Sequence, residues 1–149
     1  MTEIRFYHLT VKALDQVLPE ILTKALSTGR RAVVKTVDER QAETLNAHLW
    51  TWRPDAFLPH GSAKDGFAAD QPVWITTIDE NPNKSDILIL AGGVVSDQVG
   101  AFDLCCEMLD GNDAAAVKAA RVRWKDYKEA GYGLTYWQQT DTGGWEKKA

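Results

Sequence analysis

IRFYHLTVKALDQVLPEILTKALSTGRRAVVKTV, residues 4–37, reads as strand, helix and strand in succession. Ile4–Leu9 is a short aromatic and β-branched run, which predicts a strand. Leu14, Val17, Leu18, Ile21, Leu22, Ala25 and Leu26 recur at helical spacing, and Gly29 stops that helix. Pro19 falls inside the pattern, so the helix either begins near it or kinks there. Ala32–Val37 predicts a buried strand. Asp38 caps a second helix, with Gln41 three residues on in the manner of a capping box. Ala42, Leu45, Leu49 and Trp50 give that helix its apolar face.

The alternation continues downstream. Val73–Thr76, Ile87–Leu90 and Phe102–Leu109 read as strands, and Gly92–Gly100 as a loop with a short helix. Asn112 or Asp113 caps a long helix running to about Ala130, which Gly131 ends, and Leu134–Gln138 is a last strand. Strands alternating with helices predict an α/β fold, a mostly parallel sheet with helices on both faces. Residues 1–138 are expected to form a single domain and 139–149 a flexible C-terminal tail.

The bulk properties narrow the function. At 149 residues the chain suits one domain with a sizeable core, and 44% hydrophobic with 26% charged residues is ordinary for a soluble globular protein. Seventeen basic against 21 acidic side chains give a net charge of −4, which argues against duplex DNA binding over the whole surface. Cys105 and Cys106 are adjacent, so in a strand they point to opposite faces and suit neither a shared metal nor a disulfide. Two buried thiols suit a reducing compartment. The opening MTEIRFYHLT is too polar for a signal peptide, and no apolar run approaches the roughly 20 residues of a membrane span. A cytoplasmic protein without membrane attachment is expected.

Motifs for catalysis and cofactors are missing. HLTVKAL, after the first strand, has no glycine to let backbone approach a pyrophosphate, and neither GxGxxG nor a P-loop occurs. No GxSxG elbow is present, and His8, His48 and His60 are scattered. The expectation is therefore no catalytic, cofactor-binding or metal-binding residue. One alternative is a small α/β enzyme or phosphate-ligand binder, with a site at the strand ends near Gly92 and Asp86.

Two stretches point to binding instead. RVRWKDYKEAGY, residues 121–132, sets Arg121, Trp124, Lys125 and Lys128 along one helical stripe. A basic stripe holding an indole suits a peptide that ends in a carboxylate and carries an aromatic or apolar anchor. Single-stranded nucleic acid would use similar residues. The competing arrangement turns Val117, Ala120, Trp124 and Tyr127 inward and leaves the cations as a solvated flank. In the loop 51–71, Trp50, Trp52, Phe57 and Leu58 among prolines either plug the open side of the sheet or form an apolar docking patch.

FYHL at 6–9, HLW at 48–50 followed by FLPHG at 57–61, SDILIL at 85–90 and RWKDYKEAGYGL at 123–134 together resemble the chi subunits of the bacterial DNA polymerase III holoenzyme. The similarity runs in order to about Trp137. The resemblance implies a Rossmann-like fold that binds no nucleotide, in an accessory subunit with no active site of its own within a DNA-directed DNA polymerase. It implies two partners: the psi subunit of the clamp loader, and the acidic C-terminal tail of single-stranded DNA-binding protein. DNA is then met only indirectly. By position the tail-binding helix matches Arg121, Trp124 and Lys125 with Lys128 beside them, and the psi-facing patch matches Trp50, Phe57, Pro59 and His60. GGVVSDQVG and the tail TDTGGWEKKA have no counterpart in the family pattern.

Overall fold

The computed structural model describes residues 2–51, 60–62 and 66–149, with backbone alone for residues 50 and 51. In chain order the elements are β1 Glu3–Leu9, α1 Leu14–Ser27, β2 Ala32–Lys35, α2 Glu39–Thr51, β3 Gly61–Ser62, β4 Val73–Thr76, β5 Ile87–Ala91, β6 Leu104–Asp110, α3 Ala114–Glu129, β7 Gly133–Gln139 and β8 Trp145–Lys147. The strands form one sheet in the order β3-β4-β2-β5-β6-β1-β7-β8. Every pairing is parallel except that of β7 with β8. The α/β class and the mostly parallel sheet expected from the sequence are what the chain adopts.

Helices α2 and α3 begin where short polar side chains satisfy the first free backbone N–H groups. Asp113 accepts from the N–H groups of Ala115 and Ala116 at 3.0 and 3.3 Å, and Asp38 accepts from that of Gln41 at 2.8 Å. The Gln41 amide reaches back one residue further than a capping box, to the N–H of Val37 at 2.8 Å. Helix α1 begins five residues before Pro19 and continues past it, so the ring does not mark its start. Pro19 offers no N–H, and its own carbonyl accepts the Thr23 hydroxyl at 2.8 Å. Gly131, at φ +93°, turns the chain out of α3 in a conformation that strongly favours glycine.

Each sheet face has its own core. Leu18 and Leu22 of α1 and Ala42, Leu45 and Leu49 of α2 pack on Val34, Ile75, Ile89 and Met108. On the opposite face Ala120 of α3 is buried against Ile4, Phe6, Cys105 and Leu109, with Val117, Trp124 and Tyr127 partly buried beside it. The two cysteines thus enter different cores, both as free thiols, and burial pushes Cys106 up to about 12. At neutral pH such a thiol stays protonated and inert.

Two features depart from the sequence reading. Residues 139–149, expected as a flexible tail, carry β8, which pairs with β7 in the register Trp137–Lys147, Gln138–Glu146 and Gln139–Trp145. The reason is Trp145: its ring meets Tyr7 edge-on at 5.1 Å and packs against the α1–α2 core, which pins the hairpin to the sheet. Second, Glu107, the acid in β6, has no exposed surface, which the strand reading did not anticipate.

Candidate functional site

Helix α3 crosses β1 and β7 so that Val117, Arg121 and Trp124, spaced by four and three residues, overlook the sheet edge. With His8 of β1, Tyr136 and Gln138 of β7, and Lys148 and Ala149 after β8, they line an open groove of about 410 Å³. Its floor is aromatic. Trp124 is half-buried and meets fully buried Phe6 edge-on at 5.5 Å and Tyr136 at 6.0 Å, while Tyr136 stacks on Phe6 at 5.9 Å. The indole is therefore fixed from below and open on one side.

Its rim is cationic. Arg121 is exposed, and among the described residues Arg121, Lys125 and Lys128 make no ion pair. His8 Nδ1 lies 2.6 Å from the Tyr136 hydroxyl. Burial first, and then the Arg121 cation, hold the His8 pKa below its usual value. Gly111 is needed for this seating, since a Cβ there would run into the His8 ring. The groove thus offers a positive edge and an apolar platform with no internal carboxylate bound to Arg121.

Sequence reasoning placed Arg121, Trp124, Lys125 and Lys128 together, and the structure divides them. Arg121 and Trp124 line the groove, whereas Lys125 and Lys128 stand on the adjoining exposed stripe and are not among its lining residues. The remaining basic residue of that stretch, Arg123, turns inward to Glu107, its Nε donating at 2.9 Å to Oε2. His8, Tyr136 and Lys148 were missed. Only the parallel pairing of β1 with β7 and the return of β8 bring them to the helix, and neither is visible in local sequence.

The other proposed patch is described only in part. Phe57 and Pro59 lie outside the described residues, as does the side chain of Trp50. His60 is 2% exposed, with Nε2 at 3.0 Å from the carbonyl of Asn46, so it braces the end of α2.

The alternative site near Gly92 and Asp86 does not assemble. Asp86 precedes β5 and Gly92 follows it, so the two stand at opposite ends of a strand, roughly 20 Å apart at the usual rise per residue. The carbonyl of Asp86 accepts from the N–H groups of Asp103 and Leu104, which ties the start of β5 to that of β6. Gly92 borders a separate cavity of about 360 Å³ at the carboxyl ends of β1 and β6, with Leu9–Leu14, Met108–Asp110 and Asn112. There α1 leaves toward one face and α3 toward the other, the crevice where open α/β sheets commonly hold nucleotides. In this chain its amides are already engaged: Thr10, Val11 and Lys12 all donate to Gln139 Oε1, at 3.1, 3.0 and 3.0 Å. Among the described residues no group of three or more His, Cys, Asp or Glu could hold a metal ion, and no helix is long and apolar enough to cross a membrane.

The profile of one protein family, described as DNA polymerase III chi subunit, HolC, matches residues 1–135. The chain belongs to the DNA polymerase III chi subunit family. DNA polymerase III subunit chi of Escherichia coli (strain K12) is 30% identical over 125 residues, 83% of this chain and 84% of that one. The subunit of Pseudomonas aeruginosa is 30% identical over 137 residues, 90% and 94% of the two chains. A probable subunit chi of Rickettsia prowazekii is 32% identical over 90 residues, and there the match spans 60% of this chain and 54% of the relative. Among solved structures, the C-terminal domain of S. cerevisiae Dbp5, bound to Gle1 and IP6, aligns with a TM-score of 0.53 over 91% of this chain and 90% of that one. At 10% identity that likeness speaks to the fold alone. A chi subunit is a replication accessory component of a polymerase complex, and the groove beneath α3 lies within the matched residues except for Tyr136, Gln138, Lys148 and Ala149.

Proposed function

We propose that this chi subunit is a non-catalytic connector in the cytoplasm, tying the clamp loader, through psi, to the acidic C-terminal tail of single-stranded DNA-binding protein. The observation that supports this most is the half-buried indole of Trp124 in an open groove, beside an Arg121 that makes no ion pair among the described residues. The tail's terminal carboxylate pairs with Arg121, its acids meet the stripe of Lys125 and Lys128, and its last apolar side chain rests on Trp124 and Tyr136. A charge-assisted hydrogen bond contributes roughly 1.5–3 kcal/mol when partly shielded. Ordering a short peptide offsets part of that, so a micromolar dissociation constant, about −8 kcal/mol, is expected. Added salt weakens the contact.

The test is a pull-down with single-stranded DNA-binding protein and its tail-deleted form. Retention of the chain by the full-length protein and loss with the deletion is the expected result; equal retention by both refutes the tail as the target. Short oligonucleotides that compete with a tail peptide would instead make the groove a direct nucleic-acid site.

The second partner is assigned to Trp50, Phe57 and Pro59; His60, expected beside them, is buried against α2 and offers it no surface. Trp50→Ala with Phe57→Ala should abolish capture of psi and leave tail binding intact. A fall in melting temperature of several degrees, with psi still bound, would return those side chains to the core.

A further inference from the structure

Lys148 and Glu146 lie on the groove side of β8. Strand alternation puts Gln138 opposite Glu146 and Tyr136 beside Lys148 on that side, while Trp145 and Lys147 face the α1–α2 core side. Main-chain bonds hold the placement: Lys148 N–H donates to the Tyr136 carbonyl at 2.8 Å, and Tyr136 N–H to that of Ala149 at 3.3 Å. Lys148 is half exposed, and its Nζ lies 3.3 Å from a carboxylate oxygen of Glu146, itself mostly exposed. A solvent-facing pair of this kind is weak and exchangeable. Across the groove stands Arg121 on α3, with Trp124 and Tyr136 between.

We propose that the β7–β8 hairpin is a working wall of the peptide groove, in which Lys148 is the second cation gripping an acidic peptide and Glu146 is the internal carboxylate that the peptide displaces. This rests on the peptide-binding reading above and adds to it a residue beyond position 135, where the family match ends. An acidic peptide fits because the groove has cations from two separate elements and an apolar floor. Two cations on separate elements give an acidic chain two points of attachment instead of one. Glu146 keeps Lys148 placed in the empty groove and competes with the incoming acid.

The experiment is fluorescence anisotropy of a labelled acidic peptide with an aromatic C-terminal residue and a free carboxylate, titrated with the full chain. Lys148→Ala should weaken binding about threefold and Lys148→Glu about tenfold, as loss and reversal of one partly exposed charge would do. Glu146→Gln should tighten it about twofold, because a competitor for Lys148 is gone. Lys147→Glu, on the same strand but the other side, should change affinity little, which separates lost charge from a disturbed hairpin. Tighter binding by Glu146→Gln cannot come from misfolding. If Lys148→Glu and Glu146→Gln both bind as the unaltered chain does while Arg121→Ala is weakened, the hairpin has no role and the groove reading stands. If Arg121→Ala also binds unchanged, the groove itself is not the peptide site.

Discussion

Arg121→Ala lowers affinity for that labelled acidic peptide tenfold or more, a loss of about 1.4 kcal/mol. The guanidinium is exposed, lines the groove beside Trp124 and has no internal acid to neutralise it among the described residues. Folding does not depend on it, so the melting temperature should move by no more than about 2 °C, as for an ordinary surface change. Lys125→Ala should lose less, since its ammonium stands on the neighbouring stripe outside the groove. His8 supplies an internal control: removing the Arg121 cation should let its imidazole titrate at higher pH, readable from its ring proton shifts. Peptide affinity that survives Arg121→Ala while His8 moves upward would place the ligand elsewhere.

Arg123→Ala should cost folding stability instead, by about 3–5 kcal/mol, because it strands an acid in the core. Glu107 is fully buried, and Oε2 receives both Arg123 Nε and the Tyr127 hydroxyl at 2.9 Å, while Oε1 has no partner among the described residues. That loss is a large fraction of the roughly 5–15 kcal/mol that holds a domain together. Burial raises the Glu107 pKa, and the bonds from Arg123 and Tyr127 pull it back down. The folded chain therefore holds this proton more tightly than the unfolded chain does. The stability it contributes is full below the ordinary glutamate pKa and is lost as pH rises through the raised folded value. Without Arg123 that value climbs further. Urea unfolding curves of the two proteins should thus converge in acid and separate toward neutral pH. A gap independent of pH would mean that Arg123 stabilises through packing alone.

How far the chain could be read in advance follows from where its information lies. Leu14–Leu26 and Ala32–Val37 announce themselves because helix and strand periods differ, and those elements formed nearly where expected. Strand β2 ends two residues early, at Lys35. The inward face of α3 was legible in the spacing of Ala120, Trp124 and Tyr127. Glu107 was not, because an acid inside an apolar run gives no sign of which cation on the next helix will turn inward to meet it. Arg123, set among three other basic residues, looked no different from Arg121 until helix phase assigned one inward and one outward. The hairpin escaped notice for a similar reason: TDTGGWEKKA has the polar texture of a terminus, and its tryptophan rests on Tyr7, 138 residues earlier, and on the core beside it.

The Gln139 side chain has a consequence of its own. By lending one oxygen to three successive amides it takes the place that a bound phosphate holds in nucleotide switches, and the β1–α1 corner is braced by the chain's own side chain. For the connector proposed above, a corner braced from within the chain is the useful property.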